Sequence, residues 1–391
     1  MGENENDIAV VSDAQSYYLV ELFSPPAQDP YFYSMKGNDE PDDFRSETTS
    51  IASTIARGRL ENGRRSARSS RGLLHRLTGS TDIKRPKKIA IGAPRMSSNS
   101  RHSRLVSHIL FLVLDHNQPN PLFRAPIGDS PKHILDIGTG KGSWAIDVAD
   151  MYPSAIVRGV DLFPPPVTWM PPNCVFEVDD VLREWTWREP FDFIHLRMMY
   201  GSFDDEGWNL VYKQAYDALE PGGWIEQTEM DIRVRSDDGT LKADSLLAGW
   251  GDLFLKCSEK AGRSLRTQET MRGAMEAAGF VDAHDDLFKI PLGPWAKDKL
   301  LKEAGQLQYA HWSAAIEGWA MWLLTKFGDP EPWTPEEVQI YLAKVRAELK
   351  DPHVHRWGYC RRVWARKPTL EELMAKPPKA EEANIKKERL P

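Results

Sequence analysis

The feature that most constrains the fold is the segment HILDIGTGKGSWAIDVA, at His133–Ala149. An apolar strand runs into Asp136, and Gly138, Gly140 and Gly142 then form the turn into a helix. Glycine lets the backbone adopt positive φ and approach a ligand closely. In an open α/β sheet, ligands bind outside the carboxyl ends of the strands. The segment therefore predicts a ligand site at this junction, although a plain tight turn would need the same residues.

The chain after this turn alternates strands with helices over about a hundred residues, which is typical of parallel βαβ units in a doubly wound sheet. The five predicted strands are His133–Ile137, Ile156–Val160, Cys174–Val178, Phe191–Leu196 and Gly223–Glu229. The segments that follow predict helices over Ser245–Gly279 and Lys297–Phe327.

The spacing of the glycines argues against a dinucleotide. The loop reads G-x-G-x-G, whereas the dinucleotide fingerprint is G-x-G-x-x-G with the pyrophosphate at the helix N-terminus. The carboxylate of Asp136, directly before the loop, would repel phosphate and attract a cation. A ligand with an amino group or a sulfonium fits this pattern better.

Three acids follow successive strands. Asp161 lies nineteen residues after Gly142, and an acid about 20 residues beyond such a loop typically accepts hydrogen bonds from ribose hydroxyls. Asp179 and Asp180 follow the third strand, where a carboxylate can accept from an adenine amine while Val181 packs on the ring. Each acid alone fits an exposed turn equally well, but together they indicate a nucleoside site.

These motifs resemble, in order and spacing, those of class I S-adenosylmethionine-dependent methyltransferases. The motifs are D-I-G-T-G-K-G, G-V-D, V-D-D-V and L-E-P-G-G-W-I-E. The closer resemblance is to the fungal subgroup typified by LaeA, which includes methyltransferases of metabolite clusters. It is carried by TSIASTIARGRLENGRR, WAIDVADMYP and FDFIHLR, and it covers residues 48–65 and 120–368.

The resemblance implies an α/β fold with a Rossmann-like sheet of seven strands and helical additions at both ends. Tyr359–Arg366 should insert antiparallel beside the fifth strand, with Phe280–Ile290 at the edge. It also implies S-adenosyl-L-methionine as the cofactor and a small-molecule substrate, aromatic or indolic. The alternative is a nuclear regulator of metabolite genes that binds a protein partner and has little turnover.

The resemblance implies that the end of the fourth strand borders the methyl group of the cofactor, and His195 and Arg197 lie at that end. His195 is a candidate general base, because its unperturbed pKa of about 6.5 suits neutral pH. The alternative is a histidine that holds a loop. Arg197 is expected to pair with an acid and to help orient the methionine carboxylate of the cofactor.

The sequence predicts four regions along the chain. They are a disordered tail at 1–47, a helical and basic lead-in at 48–118, a methyltransferase domain with a helical substrate lid at 119–368, and a frayed tail at 369–391. Within the lead-in, the pattern predicts short helices over Thr48–Arg65 and Leu105–Leu114.

Charge and composition exclude several classes. The net charge is −7, and Arg57–Arg104 holds fourteen basic residues against two acids, so the remaining chain is acidic and direct nucleic-acid binding is not expected. No apolar run approaches the roughly 18–20 residues of a membrane span. The cysteines Cys174, Cys257 and Cys360 lie too far apart for a zinc finger. These features predict an intracellular, cytoplasmic protein without a metal, and the cluster Lys84–Lys88 leaves a nuclear location open.

One segment departs from the subgroup. There, GRLENGRR leads into a tyrosine-rich and then acidic stretch that helps to close over the cofactor, whereas Ser66–Arg104 is basic, rich in serine and without tyrosine. Three explanations stay open: a divergent insertion, a reading-frame error across an intron, and a nuclear address.

Overall fold

The computed structural model describes residues 59–61, 64–66, 94–95, 107–167 and 169–375. Within these ranges the chain forms ten strands in two sheets. The strands are β1 Arg59–Glu61, β2 Arg64–Ser66, β3 Pro94–Arg95, β4 His133–Ile137, β5 Ile156–Asp161, β6 Cys174–Val178, β7 Phe191–Arg197, β8 Leu219–Met230, β9 Val281–Pro291 and β10 Trp357–Arg366.

The main sheet has seven strands in the order β6-β5-β4-β7-β8-β10-β9. Within this sheet, the five strands β4 to β8 pair in parallel. Strand β10 lies antiparallel between β8 and β9, with Val363 opposite Gln227. The predicted seven-stranded sheet, the antiparallel insertion beside the fifth strand and the edge strand are therefore confirmed. Because β8 begins at Leu219, it is four residues longer at its start than the predicted Gly223–Glu229.

Both faces of the central strands β4 and β7 are covered, which explains why successive residues in them are buried rather than alternate ones. In β4, Ile134 packs with the helix Ser143–Met151 on one face, while Leu135 and Ile137 pack on the other. The helices are 107–114, Ser143–Met151, Asp205–Ala218, Leu246–Lys260, Thr267–Ala278, Lys299–Phe327, Pro335–Leu349 and Leu370–Ala375.

Three of these helices, Leu246–Lys260, Lys299–Phe327 and Pro335–Leu349, pack on one another around a core of their own, which we call the helical layer. The segment Ser245–Gly279, predicted as helical, forms two helices rather than one. Gly262 adopts a φ of +66° just after the first helix, and a new helix begins only at Thr267. Among the described residues, no helix combines the length and the apolar composition needed to cross a bilayer.

The predicted helix over Thr48–Arg65 is not observed at residues 59–61 and 64–65, and its residues 48–58 lie outside the described residues. Strands β1 and β2 pair antiparallel there, with Glu61 opposite Arg64. The sequence between them is Asn62-Gly63, the pair most typical of a two-residue hairpin, so a signal for a hairpin was present. The predicted helix at Leu105–Leu114 is observed at 107–114. The predicted disordered tail at 1–47 lies outside the described residues.

The start of the predicted frayed tail is ordered as a short helix. Thr369 Oγ1 accepts from the backbone N–H of Glu372, and the Glu372 carboxylate accepts from the N–H of Thr369. This reciprocal pair is a capping box, which explains why Leu370–Ala375 is helical. Residues 376–391 lie outside the described residues.

The helical layer is tied to the sheet by a buried arginine. Arg356, only 2% exposed, donates to the carbonyl oxygens of Leu349 and Asp351, each at 2.9 Å. It also donates to the carbonyl of Leu292 beyond β9. A cation at a helix C-terminus satisfies free carbonyls and interacts favourably with the helix dipole.

We expect Arg356→Met to lower the free energy of unfolding by about 3 kcal/mol, because buried carbonyl groups lose their donors. The matched control is Arg346→Met on the helix Pro335–Leu349, whose last carbonyl Arg356 contacts. The partly exposed Arg346 lies 3.5 Å from Glu317 and contributes at most about 1 kcal/mol. Urea denaturation measures both variants. Equal losses would contradict the anchoring role of Arg356.

Candidate active site

The glycine loop, residues 138–142, connects β4 to the helix Ser143–Met151. Gly138, Gly140 and Gly142 have φ values of +72°, +60° and +79°, a region that favours glycine. The N–H groups of Gly138 and Thr139 both donate to the carbonyl of Val160, at 2.8 and 3.0 Å. The loop is therefore fixed against the end of the neighbouring strand β5.

Two of the glycines are also required by close packing. A Cβ built on Gly138 would lie 2.2 Å from the Sδ of Met199, and one on Gly142 would lie 2.4 Å from the Cζ of Phe176. Neither position can hold a side chain without displacing its neighbour. The sequence had not pointed to Met199 or Phe176, because both come from strands or turns distant in the chain.

Asp161 lies beside the glycine loop at the end of β5. Its Oδ2 accepts from the N–H of Gly140 at 2.9 Å, and its Oδ1 accepts from the N–H of Phe163 at 3.2 Å. The structure thus brings the acid predicted to bind ribose into contact with the central glycine of the loop.

The two acids after β6 lie at the same edge of the sheet. The backbone N–H of Asp179 donates to the carbonyl of Asp161 at 3.2 Å, which joins the ends of β5 and β6. Asp179 Oδ1 accepts from the N–H of Asp180, and Asp180 Oδ1 accepts from the N–H of Leu182. Val181 packs against the hydrophobic core. The geometry therefore brings together the three acids that the strand ends predicted.

Asp136 and His195 form a buried pair on adjacent strands. Their side chains are almost inaccessible, and His195 Nδ1 lies 2.8 Å from Asp136 Oδ1. The imidazole stacks on Trp144, with ring centroids 3.7 Å apart and planes at 6°. Burial lowers the pKa of His195 to about 4, although the bond to Asp136 opposes that shift. His195 is therefore a neutral side chain enclosed by its neighbours.

Arg197 contacts a histidine that the sequence had not singled out. Its Nη2 lies 3.0 Å from His108 Nδ1, and its guanidinium sits over the ring of Phe111. His108 Nε2 in turn lies 2.7 Å from a carboxylate oxygen of Asp147. Burial lowers the pKa of both His108 and Arg197, the latter to about 10. A neutral His108 accepts from Arg197 and donates to Asp147, so Arg197 reaches an acid through a histidine rather than directly.

A small cavity lies beyond the carboxyl end of β8, between the sheet and the helical layer. Its volume is about 10 Å³, which is room for about one water molecule. Gln308 Oε1 is buried and has no hydrogen-bond partner among the described residues. The cavity is lined by Met230, Asp231, Arg233, Val234, Ile290, Leu292, Gln308, Trp312, Gly358 and Tyr359.

The side chains at the glycine loop fit S-adenosylmethionine. Carboxylates at the ends of β4, β5 and β6 attract hydroxyl, amino and sulfonium groups, all of which this cofactor carries. The positive φ values of Gly138, Gly140 and Gly142 also keep the loop free of side chains. The same carboxylates would repel a pyrophosphate.

Comparison with known proteins agrees with this geometry. A family described as "Methyltransferase domain" matches residues 113–284. "Methyltransferase pytC" of Aspergillus terreus is 38% identical over 252 residues, which cover 64% of this chain and 75% of that protein. "Secondary metabolism regulator LAE1" of Cochliobolus heterostrophus is 34% identical, covering 67% of this chain and 85% of that protein.

"Probable methyltransferase tdiE" of Emericella nidulans is 30% identical over 266 residues, which cover 67% of this chain and 80% of that protein. These relatives match over most of their own length and include both methyltransferases and regulators. The chain therefore belongs to the LaeA-like group of fungal class I methyltransferases, which are S-adenosylmethionine-dependent enzymes.

Proposed function

We propose that this methyltransferase methylates a small aromatic or indolic metabolite in fungal secondary metabolism, within the cytoplasm. The observation that carries the proposal is the cavity beyond β8. Trp312 and Tyr359 supply aromatic surface there, and the unpartnered Oε1 of Gln308 requires one hydrogen-bond donor. A flat, uncharged ring with a single N–H or O–H group would match both once the helical layer moves to admit it, because the cavity as it stands has room for about one water molecule. Because β8 is parallel to β7, this cavity opens at the same edge of the sheet as the glycine loop.

We assign the cofactor contacts from the family's motifs and the observed placement. The residues proposed to hold S-adenosylmethionine are Asp136, Gly138, Gly140, Gly142, Asp161, Asp179, Asp180 and Arg197. Asp161 would accept from the ribose hydroxyls and Asp180 from the adenine amine, with Asp179 supporting the turn. The bound cofactor supplies an electrophilic methyl group on its sulfonium. The chain contributes alignment of the reactants and exclusion of water.

For His195, the enclosed geometry favours a positioning role over that of a general base. A base must come within hydrogen-bond reach of the proton that it removes, whereas His195 is 2% exposed and bonded to Asp136. We propose that the imidazole orients the Asp136 carboxylate at the start of the glycine loop.

We expect Asp161→Ala to weaken the binding of S-adenosylhomocysteine by about 1–3 kcal/mol, because hydrogen bonds to a partly buried ligand and to the Gly140 N–H are lost. Isothermal titration calorimetry measures the change. Asp217→Ala is the matched control, since that exposed carboxylate contacts Lys213 on the surface. Unchanged affinity in Asp161→Ala would contradict the assigned site.

The lowered pKa of His195 predicts how stability changes with pH. Between about pH 6.5 and pH 4, an unfolded histidine binds a proton that the folded His195 does not, so the free energy of unfolding falls as the pH falls. The variant His195→Asn keeps a donor towards Asp136. We expect its free energy of unfolding to change less steeply with pH between about 6.5 and 4 than that of wild type. Urea melts at several pH values test this, with the exposed His353→Asn as control. Identical slopes for wild type and His195→Asn would refute the buried neutral state.

The alternative function is a nuclear regulator of metabolite genes with little turnover. The likeness to the regulator LAE1, over 85% of that protein, favours it. So does the basic cluster Lys84–Lys88, which lies outside the described residues. A regulator of this kind would bind a protein partner rather than consume a metabolite.

Gly140→Glu separates the two functions. At a φ of +60° a glutamate is strained, and it adds a second negative charge beside Asp161, which accepts from the Gly140 N–H, so we expect no cofactor binding. If the chain is an enzyme, a deletion strain that carries this variant lacks the methylated metabolite. Gly273→Glu is the control, because a Cβ there meets open space. Full rescue of the metabolite profile by Gly140→Glu would refute the enzyme.

A further inference from the structure

A second buried carboxylate lies close to the glycine loop, near the end of β8. Glu229 is fully buried. Its Oε1 accepts from the backbone N–H of Met199 at 2.9 Å and from Gln227 Nε2 at 2.8 Å. Its Oε2 accepts from the N–H groups of Met199 and Tyr200 at 3.0 and 3.1 Å. Apart from Gln227, all of these donors belong to the turn that follows β7.

That turn has an unfavourable backbone conformation. Met198 adopts a φ of +57°, which costs a residue with a side chain on the order of 1–3 kcal/mol and persists only where the surroundings fix it. The N–H of Met198 donates to the carbonyl of Thr228, and the next two N–H groups point at Glu229. Successive N–H groups in such a conformation form a concavity that binds an anion, and here the anion is a side chain of the protein.

The turn Met198–Tyr200 also places the side chain of Met199 against the glycine loop. The thioether of Met199 fills the space over Gly138, where a Cβ would lie 2.2 Å from Sδ and 2.9 Å from Cε. A displaced turn would move this thioether either into the loop or away from it. The position of Met199 therefore links the Glu229 carboxylate to the loop backbone, across three strands of the sheet.

We propose that Glu229 is a positioning residue for methyl transfer, which holds the turn Met198–Tyr200 so that Met199 supports the glycine loop in its cofactor-binding form. This role rests on the proposed function, because it concerns the same cofactor site. Glu229 is too deeply enclosed to contact the substrate, and it acts through the turn alone.

The charge state of the cluster supports the role. Burial raises the pKa of Glu229 to about 7, and it also raises the pKa of Tyr200, Tyr212 and Cys360, which face it from the turn, a helix and β10. Arg361, opposite Glu229 in the sheet, is directed to Asp285 and to the carbonyl of Gln268. Glu229 is thus the group of this cluster that titrates near neutral pH.

Protonation would place a hydroxyl on one oxygen of Glu229 and remove its negative charge, so that the N–H groups of the turn would be held more weakly. We therefore expect the affinity of wild type for S-adenosylhomocysteine to fall as the pH drops below about 7. In Glu229→Gln the unfavourable contact is present at every pH, because the new amide N–H groups face the N–H donors of Gln227 or of the turn. The expected result is about tenfold weaker binding, equivalent to one lost hydrogen bond, with the pH dependence near 7 removed.

The matched control is Glu226→Gln. Glu226 is an equally buried carboxylate on the same strand, but it accepts from the N–H groups of Arg124 and Ala125 rather than from the turn. We expect this control to lower the thermal midpoint while keeping the wild-type affinity and pH profile. Calorimetry with S-adenosylhomocysteine, well below the midpoint of each variant, supplies the affinities.

The outcomes are distinguishable. If wild type does not bind S-adenosylhomocysteine at any pH, the proposed function fails. If wild type binds and Glu229→Gln binds equally well with the same pH profile, the positioning role is overturned and the function stands. Should Glu229→Gln not fold, Glu229→Asp replaces it. This variant keeps the charge but is one methylene shorter, so binding should weaken while a pH dependence remains, and wild-type affinity would again overturn the role.

Discussion

The two hydrogen bonds from the glycine loop to the carbonyl of Val160 are the constraint on which the site depends. They hold Gly138 and Thr139 across the ends of β4 and β5, and they leave the loop in a conformation that favours glycine. Phe176 and Met199 then occupy the space where side chains would otherwise stand. The loop is thus defined from both sides, by a strand end and by packing.

Around this loop, buried charges and polar groups join segments that are far apart in the chain. His108 connects the helix 107–114 to Asp147 and Arg197. Just after this helix, Asp115 bonds to Arg362 of β10 at 2.6 Å. In the connection from the helix to β4, the backbone N–H groups of Arg124 and Ala125 donate to the Glu226 carboxylate. Since buried charges are stable only when paired or hydrogen-bonded, these contacts fix the lead-in helix to the sheet that carries the site.

The sequence predicted most of the fold and the acids of the site, because both depend on local patterns. Apolar runs bounded by glycines and acids marked the strands, and the parallel sheet necessarily brings Asp136, Asp161 and Asp180 to one edge. Local patterns also failed where a short signal was overlooked. The Asn62-Gly63 pair indicated a hairpin where a helix was predicted, and Gly262 lies in the break between two helices of a segment that was predicted only as helical.

The remaining features of the site could not have been predicted from local pattern. His108 meets Arg197 across 89 positions in the chain, and Glu229 meets the turn after β7 across 30. The periodicity of the sequence gives no signal for such pairs, because they form only when the order of strands in the sheet places those segments side by side. The same holds for His195, whose residue type suits a base but whose burial between Asp136 and Trp144 favours positioning.

The central claim is that the glycine loop of this chain binds S-adenosylmethionine and not a dinucleotide. Calorimetric titration of the whole protein with S-adenosylhomocysteine, and in parallel with NAD, tests it most directly. The account predicts saturable binding of S-adenosylhomocysteine and no heat beyond dilution with NAD. Saturable binding of NAD, with no response to S-adenosylhomocysteine, would contradict it.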